Sequence, residues 1–110
     1  MNKYGNKKVI VDGIKFDSVK ESRRYIELKL LQRAGEIKDL AMQVSFELQP
    51  KYKKNDKTIK SISYIADFVY YDLKKKQIII EDTKGYRTDV YKLKKKLFEY
   101  KYKDLTIKEI

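Results

Sequence analysis

Residues 59–85 read IKSISYIADFVYYDLKKKQIIIEDTKG, and the fold turns on this stretch. Ile59–Tyr71 is rich in β-branched and aromatic residues, which fit a pleated, half-buried surface. Leu73–Lys76 reads as a tight turn and Gln77–Lys84 as the returning strand. Side chains alternate along a strand, so Ile78, Ile80, Asp82 and Lys84 share one face. Glu81 and Thr83 take the other. On the partner strand Ile65, Asp67 and Val69 share a face. A four-residue turn sets Asp67 directly opposite Asp82, and a slip of one residue would undo that pairing.

Outward from this hairpin, Val9–Val11 and Ile14–Phe16 flank Asp12-Gly13, a strong signal for a two-residue β-turn. Ser18 stands three residues before Glu21, the spacing of a capping box. The helix it opens runs to about Ala34 and stops at Gly35. Val19, Ile26, Leu30 and Ala34 lie near one face of that helix, broadened by Tyr25, Leu28 and Leu31. Val44, Phe46 and Leu48 alternate with polar residues as a strand ended by Pro50, and Lys51–Lys57 reads as a basic turn. Thr88 or Asp89 caps a second helix with Val90, Leu93, Leu97 and Tyr100 as its apolar stripe. Leu105–Ile110 reads as a last strand. The expectation is one α/β domain over residues 1–110: an N-terminal β-hairpin, then helix, three-stranded meander, helix and strand.

Composition narrows the chemistry. Lys and Arg number 27 against 16 acids, a formal net charge of +11, which points to a polyanion and first of all to nucleic acid. There is no histidine and no cysteine. That excludes Ser-His-Asp chemistry, imidazole-based zinc sites, nucleases with a histidine base, and disulfides. Catalysis, if present, must use carboxylates, Lys, Tyr or Arg, and an oxygen-ligated metal is the expected companion. No apolar run is long enough to span a bilayer, and Met1–Lys8 is polar and basic, so a cytoplasmic protein with no membrane partner is expected.

Two carboxylates facing each other across a strand pair repel, and Asp67 and Asp82 have apolar neighbours. Lys84, a divalent cation, or both together would compensate. Mg²⁺ takes one or two protein carboxylates and completes its shell with water and phosphate oxygens.

Asp67 within Tyr-Ile-Ala-Asp-Phe, followed by Glu-Asp-Thr-Lys-Gly at 81–85, resembles the split acid and (D/E)xK signature of PD-(D/E)xK nucleases. Phe16–Glu21 and Glu47–Pro50 are similar to segments of small phage and prophage members of that superfamily. The likeness covers nearly the whole chain. It departs at Ala66, where the motif name has proline.

The resemblance implies a restriction-endonuclease-like core and a Mg²⁺- or Mn²⁺-dependent DNA endonuclease acting in a bacterial host cell, on branched or junction DNA. Its catalytic set would be Glu21, Asp67, Asp82 and Lys84, with Asp67, Asp82 and Glu21 on the metal. For Glu21, capping alone and ligation both remain open. Lys92, Lys95 and Lys96, with Arg23, Arg24 and Lys54, would contact nucleic acid, although a solvated helix face is the better reading of most of the helix lysines. A non-catalytic nucleic-acid-binding protein on the same fold is the alternative. A homodimer, made through the Val9–Phe16 hairpin, would let two symmetric sites cut both strands.

Overall fold

The computed structural model describes residues 8–83 and 86–110. Val9–Val11 (β1) and Ile14–Phe16 (β2) pair antiparallel about Asp12 and Gly13, both at positive φ as the two-residue turn requires. The Ser18 hydroxyl accepts from the Glu21 N–H at 3.1 Å and opens Val19–Arg33 (α1). Gly35, at φ 80°, ends it. Ile37–Gln49 (β3) follows, then a small ribbon of Tyr52–Lys54 (β4) and Lys57–Ile59 (β5). Ile62–Asp72 (β6), Gln77–Asp82 (β7), Asp89–Lys101 (α2) and Ile107–Glu109 (β8) complete the chain.

The order across the main sheet is β3-β6-β7-β8. β3, β6 and β7 run antiparallel, and β8 lies parallel to β7. A parallel neighbour needs a crossover, and α2 supplies it. The result is a mixed α/β domain with a β-hairpin at its N-terminus. Among the described residues no helix is long and apolar enough to cross a membrane.

The β6–β7 turn has the expected length. Asp72 Oδ1 accepts from the N–H groups of Lys74 and Lys75, both at 2.9 Å, and the ladder runs from Asp72↔Gln77 to Phe68↔Glu81. Two other expectations are corrected. β3 begins at Ile37, well before Val44, because Asp39 and Gln43 adopt positive φ and interrupt the period-two pattern that marks a strand. The basic turn at 51–57 is a β-ribbon instead, closed by Asn55-Asp56 at φ 52° and 61°. Ile59 therefore belongs to β5 and not to the long strand.

The helices lie on opposite faces of the sheet. Phe16, Tyr25, Leu28, Ile37, Phe68 and Tyr70 form the core beneath α1. Tyr64, Ala66, Ile80, Tyr91, Phe98 and Ile107 form the core beneath α2. Tyr64 and Phe68 differ by an even number of residues, yet pack on different helices. So do Met42 and Phe46 in β3. Both strands therefore reset their alternation, and the reset falls at Gln43 and Asp67.

Helix orientation differs from the sequence expectation. Tyr25 and Leu28 are buried in α1, while Val19, Ile26 and Leu30 are exposed. In α2 the buried residues are Tyr91 and Phe98, and Val90, Leu93, Leu97 and Tyr100 face outward. The reason is ring chemistry. Tyr25 packs on Phe16 and still delivers its hydroxyl to Asp12, and Tyr91 is buried while its hydroxyl reaches Glu109 at 2.7 Å.

α1 is tied to the sheet by charge. Arg24 donates to the fully buried Glu81 through two nitrogens, at 2.7 and 2.6 Å, and the Tyr70 hydroxyl donates to the same carboxylate. Arg24→Ala strands a buried carboxylate and is expected to cost about 3–5 kcal/mol in urea denaturation. The double variant Arg24→Met, Glu81→Met should recover most of that loss, and failure to do so would show that packing of the arginine stem dominates.

Candidate active site

The three acids singled out in the sequence come from α1, β6 and β7. Asp67 is half-buried in β6 at the reset of alternation. Its Oδ2 accepts from both the N–H and the hydroxyl of Thr83, each at 2.8 Å. The Asp67 side chain thus takes the N–H of the residue that follows β7. The β6–β7 ladder pairs Phe68 with Glu81, and Asp67 and Asp82 stand one step beyond.

The other oxygen of Asp67, Oδ1, lies 3.3 Å from the Gln43 amide nitrogen. That same nitrogen donates to Glu21 Oε2 at 3.1 Å. Gln43 holds φ 52°, outside ordinary strand geometry. One neutral NH₂ group thus bridges two carboxylates from different elements. Glu21 is buried; its N–H goes to the Ser18 hydroxyl, while its carboxyl takes the Gln43 amide and the Asp17 backbone N–H. Its pKa is pushed up to about 7, first by burial, then by the negative charge of Asp67. The charges of Asp17 and Asp82 add to the rise, and the Asp17 backbone N–H opposes it.

Asp82 is fully buried and turns toward α2. Its Oδ2 accepts from the Tyr64 hydroxyl at 2.5 Å, and burial followed by this contact holds the Tyr64 proton tightly. Glu21 and Asp67 are therefore brought together, while Asp82 is directed at a tyrosine. Among the described residues no three acidic side chains are placed to hold a metal ion as a ready-made set. The donor chemistry nevertheless suits a hard divalent cation. Glu21 and Asp67 share one donor, both offer carboxylate oxygens, and burial followed by the charge of Asp67 raises the Glu21 pKa.

The remaining candidates divide. Lys84 lies outside the described residues. Arg24, expected on the nucleic-acid surface, is instead bound to Glu81 and Glu27. Arg23 and Lys54 are exposed. Lys92, Lys95 and Lys96 line a cleft of about 300 Å³ together with Arg87 and Glu109. Arg87 and Tyr91 hold the Glu109 carboxyl down at about 2, and Lys95 lies 3.4 Å from it. A second cleft, about 230 Å³, opens beside Glu21 and Gln43 and is edged by Lys15.

A family described as "Protein of unknown function (DUF1064)" matches residues 1–110. The chain belongs to the DUF1064 family. No curated protein and no solved structure matches it. In this DUF1064 chain the sequence reading gave no site role to Gln43 or Thr83. Only Thr83 carried a signal, as the middle residue of Asp-Thr-Lys.

The Glu21 shift has a thermodynamic sign. Unfolded, the carboxyl titrates near 4.5; folded, near 7. Between those values the native state binds more protons, so its stability falls as pH rises through the window. Glu21→Gln should match wild type below pH 4.5 and exceed it progressively up to about pH 7 in urea denaturation. A difference constant with pH would contradict the assignment.

Proposed function

We propose that this DUF1064 protein is a divalent-metal-dependent DNA endonuclease of the PD-(D/E)xK type, built on a restriction-endonuclease-like core. The observation that carries the reading is the Gln43 amide shared by Glu21 and Asp67, with Asp82 at the level of Asp67, one step beyond the last ladder pair. The element order α1, β3-β6-β7, α2, β8 supports it, since it is the helix, meander, helix, strand order implied by the sequence resemblance.

Mg²⁺ or Mn²⁺ would be held by Asp67 and Glu21, with Asp82 as the further carboxylate. When bound, such an ion supplies charge that polarises a phosphodiester and acidifies water. The chain's own residues do the rest. Thr83 fixes the orientation of Asp67. Lys84 would orient the attacking water or neutralise charge that develops on phosphate. Lys92, Lys95, Lys96 and Arg87 would hold flanking phosphates, joined by Arg23 and the exposed lysines of the β4–β5 ribbon, Lys54 among them. Branched or junction DNA in a phage-infected or lysogenic bacterial cytoplasm is the setting we propose. A dimer through the β1–β2 hairpin, where Ile10 is exposed, would place two sites on one duplex.

One observation favours a second reading. The Asp82 carboxylate is engaged with Tyr64 in the core, as it would be in a non-catalytic nucleic-acid-binding protein on the same fold. Labelled duplex, flap and four-way-junction DNA, each incubated with Mg²⁺, Mn²⁺ or EDTA, separates the two. The nuclease reading expects metal-dependent cuts that Asp67→Asn and Asp82→Asn each slow by about a hundredfold or more, with DNA retention intact. Retention without cleavage by wild type under either metal would establish the binding protein instead.

A further inference from the structure

The outer face of α2 has no role in that chemistry. Val90, Leu93, Leu97 and Tyr100 are 63%, 58%, 41% and 73% exposed. Their spacing is three, four and three residues, the a/d repeat of a coiled-coil seam. At 100° per residue they fall within an arc of about 80°, on the side of the helix away from Tyr91 and Phe98. Of the residues proposed to hold phosphate, Lys95 lies on a third side and Lys92 borders one edge of the stripe.

What flanks the stripe is as regular as the stripe. Lys94 and Lys101 run along one edge, Lys101 also donating to the Glu47 carbonyl at 2.9 Å; Lys96, shared with the proposed phosphate cleft, lies on the other, and Lys103 joins it from the turn after α2. Lys103 packs its ammonium over the Tyr100 ring, 5.3 Å from the centroid. Only Asp89, in the first turn, adds an acid to either edge. A second copy of α2 laid on this face, parallel or antiparallel, would set lysine edges against lysine edges. Like charges at such positions select against a pairing. A membrane surface fits poorly too, because adsorbed helices present a broad apolar face and this one is as narrow as a helix–helix seam. Phosphate would satisfy the lysines and leave four apolar side chains in water.

We infer that the outer face of α2 docks an amphipathic helix of a partner protein, with apolar residues at heptad spacing and acidic residues along both edges. Leu93 and Leu97 are the central anchors, and the lysine edges set the charge and the register. The surface is separate from the candidate active site, so docking leaves the acids of β6 and β7 free to act.

The test uses the whole chain and two fluorescein-labelled peptides of about three heptads. One has Leu at a and d with Glu at e and g. The other has the same composition with its apolar positions scrambled. By fluorescence anisotropy the patterned peptide is expected to bind, and the scrambled one to bind at least about tenfold more weakly. Leu93→Glu with Leu97→Glu should reduce binding of the patterned peptide by a similar factor, with helix content unchanged by circular dichroism. Lys94→Glu with Lys101→Glu should do the same while improving binding of a Lys-edged peptide.

Equal binding of the two acidic peptides would overturn the inference, leaving charge attraction alone. So would self-association in sedimentation that Leu97→Glu abolishes, which would make a second copy the occupant. Co-sedimentation with phosphatidylserine vesicles that the leucine double variant abolishes would likewise replace the helix with a lipid surface.

Discussion

The Gln43 side-chain amide holds the centre of this molecule. Gln43 sits at positive φ in β3 and gives one nitrogen to two carboxylates, Asp67 in the neighbouring strand and Glu21 in the helix above. At that level β3 and β6 change the face they present to each helix. The reset lets one sheet feed two cores, with Phe68 and Tyr70 under α1 and Tyr64 and Ala66 under α2. It also brings a half-buried carboxylate into reach of a buried glutamate. Positive φ at Gln43 and clustered carboxylates beside it each cost stability, and the packing of two cores on one sheet offsets that cost.

Two charge networks flank this point and differ in kind. Arg24 and Tyr70 enclose Glu81 completely, so that carboxylate is satisfied within the fold and fastens α1 to the sheet. Glu21 meets the neutral Gln43 amide, and among the described residues no cation pairs with it, so burial and the charge of Asp67 push its pKa up to about 7. Neighbouring residues of β7 thus send their acids to opposite faces, Glu81 to a structural ion pair and Asp82 to Tyr64. The contrast separates the acids that stabilise the fold from those that make its electrostatic centre.

Much of this was legible in the sequence where the determining chemistry is local. Asp12-Gly13, Ser18 with Glu21, and the turn after Asp72 each fix their own geometry through bonds spanning two or three residues. That was enough to place Asp67 and Asp82 at one level of adjacent strands. What escaped is tertiary. The N-terminal part of β3 is hidden because Asp39 and Gln43 break the alternation that announces a strand. The β4–β5 ribbon is hidden because lysines, not apolar residues, flank its turn. Both helices have apolar residues on two sides, so periodicity alone could not say which side meets the core. Among the site residues, Glu21 and Asp67 were recognisable by type and setting. The carboxylate partners were not, since Arg24 and Glu81 are 57 positions apart and a glutamine carries no chemical signature of its own.

If Glu21 and Asp67 form a cation site, binding must displace the proton that Glu21 keeps. Calorimetric titration with Mn²⁺ below pH 7, in two buffers of different ionisation enthalpy, reads that proton directly. The account expects saturable binding with release of about one proton, and Glu21→Gln should abolish the release. Binding with no proton released, or no binding at all, would contradict it.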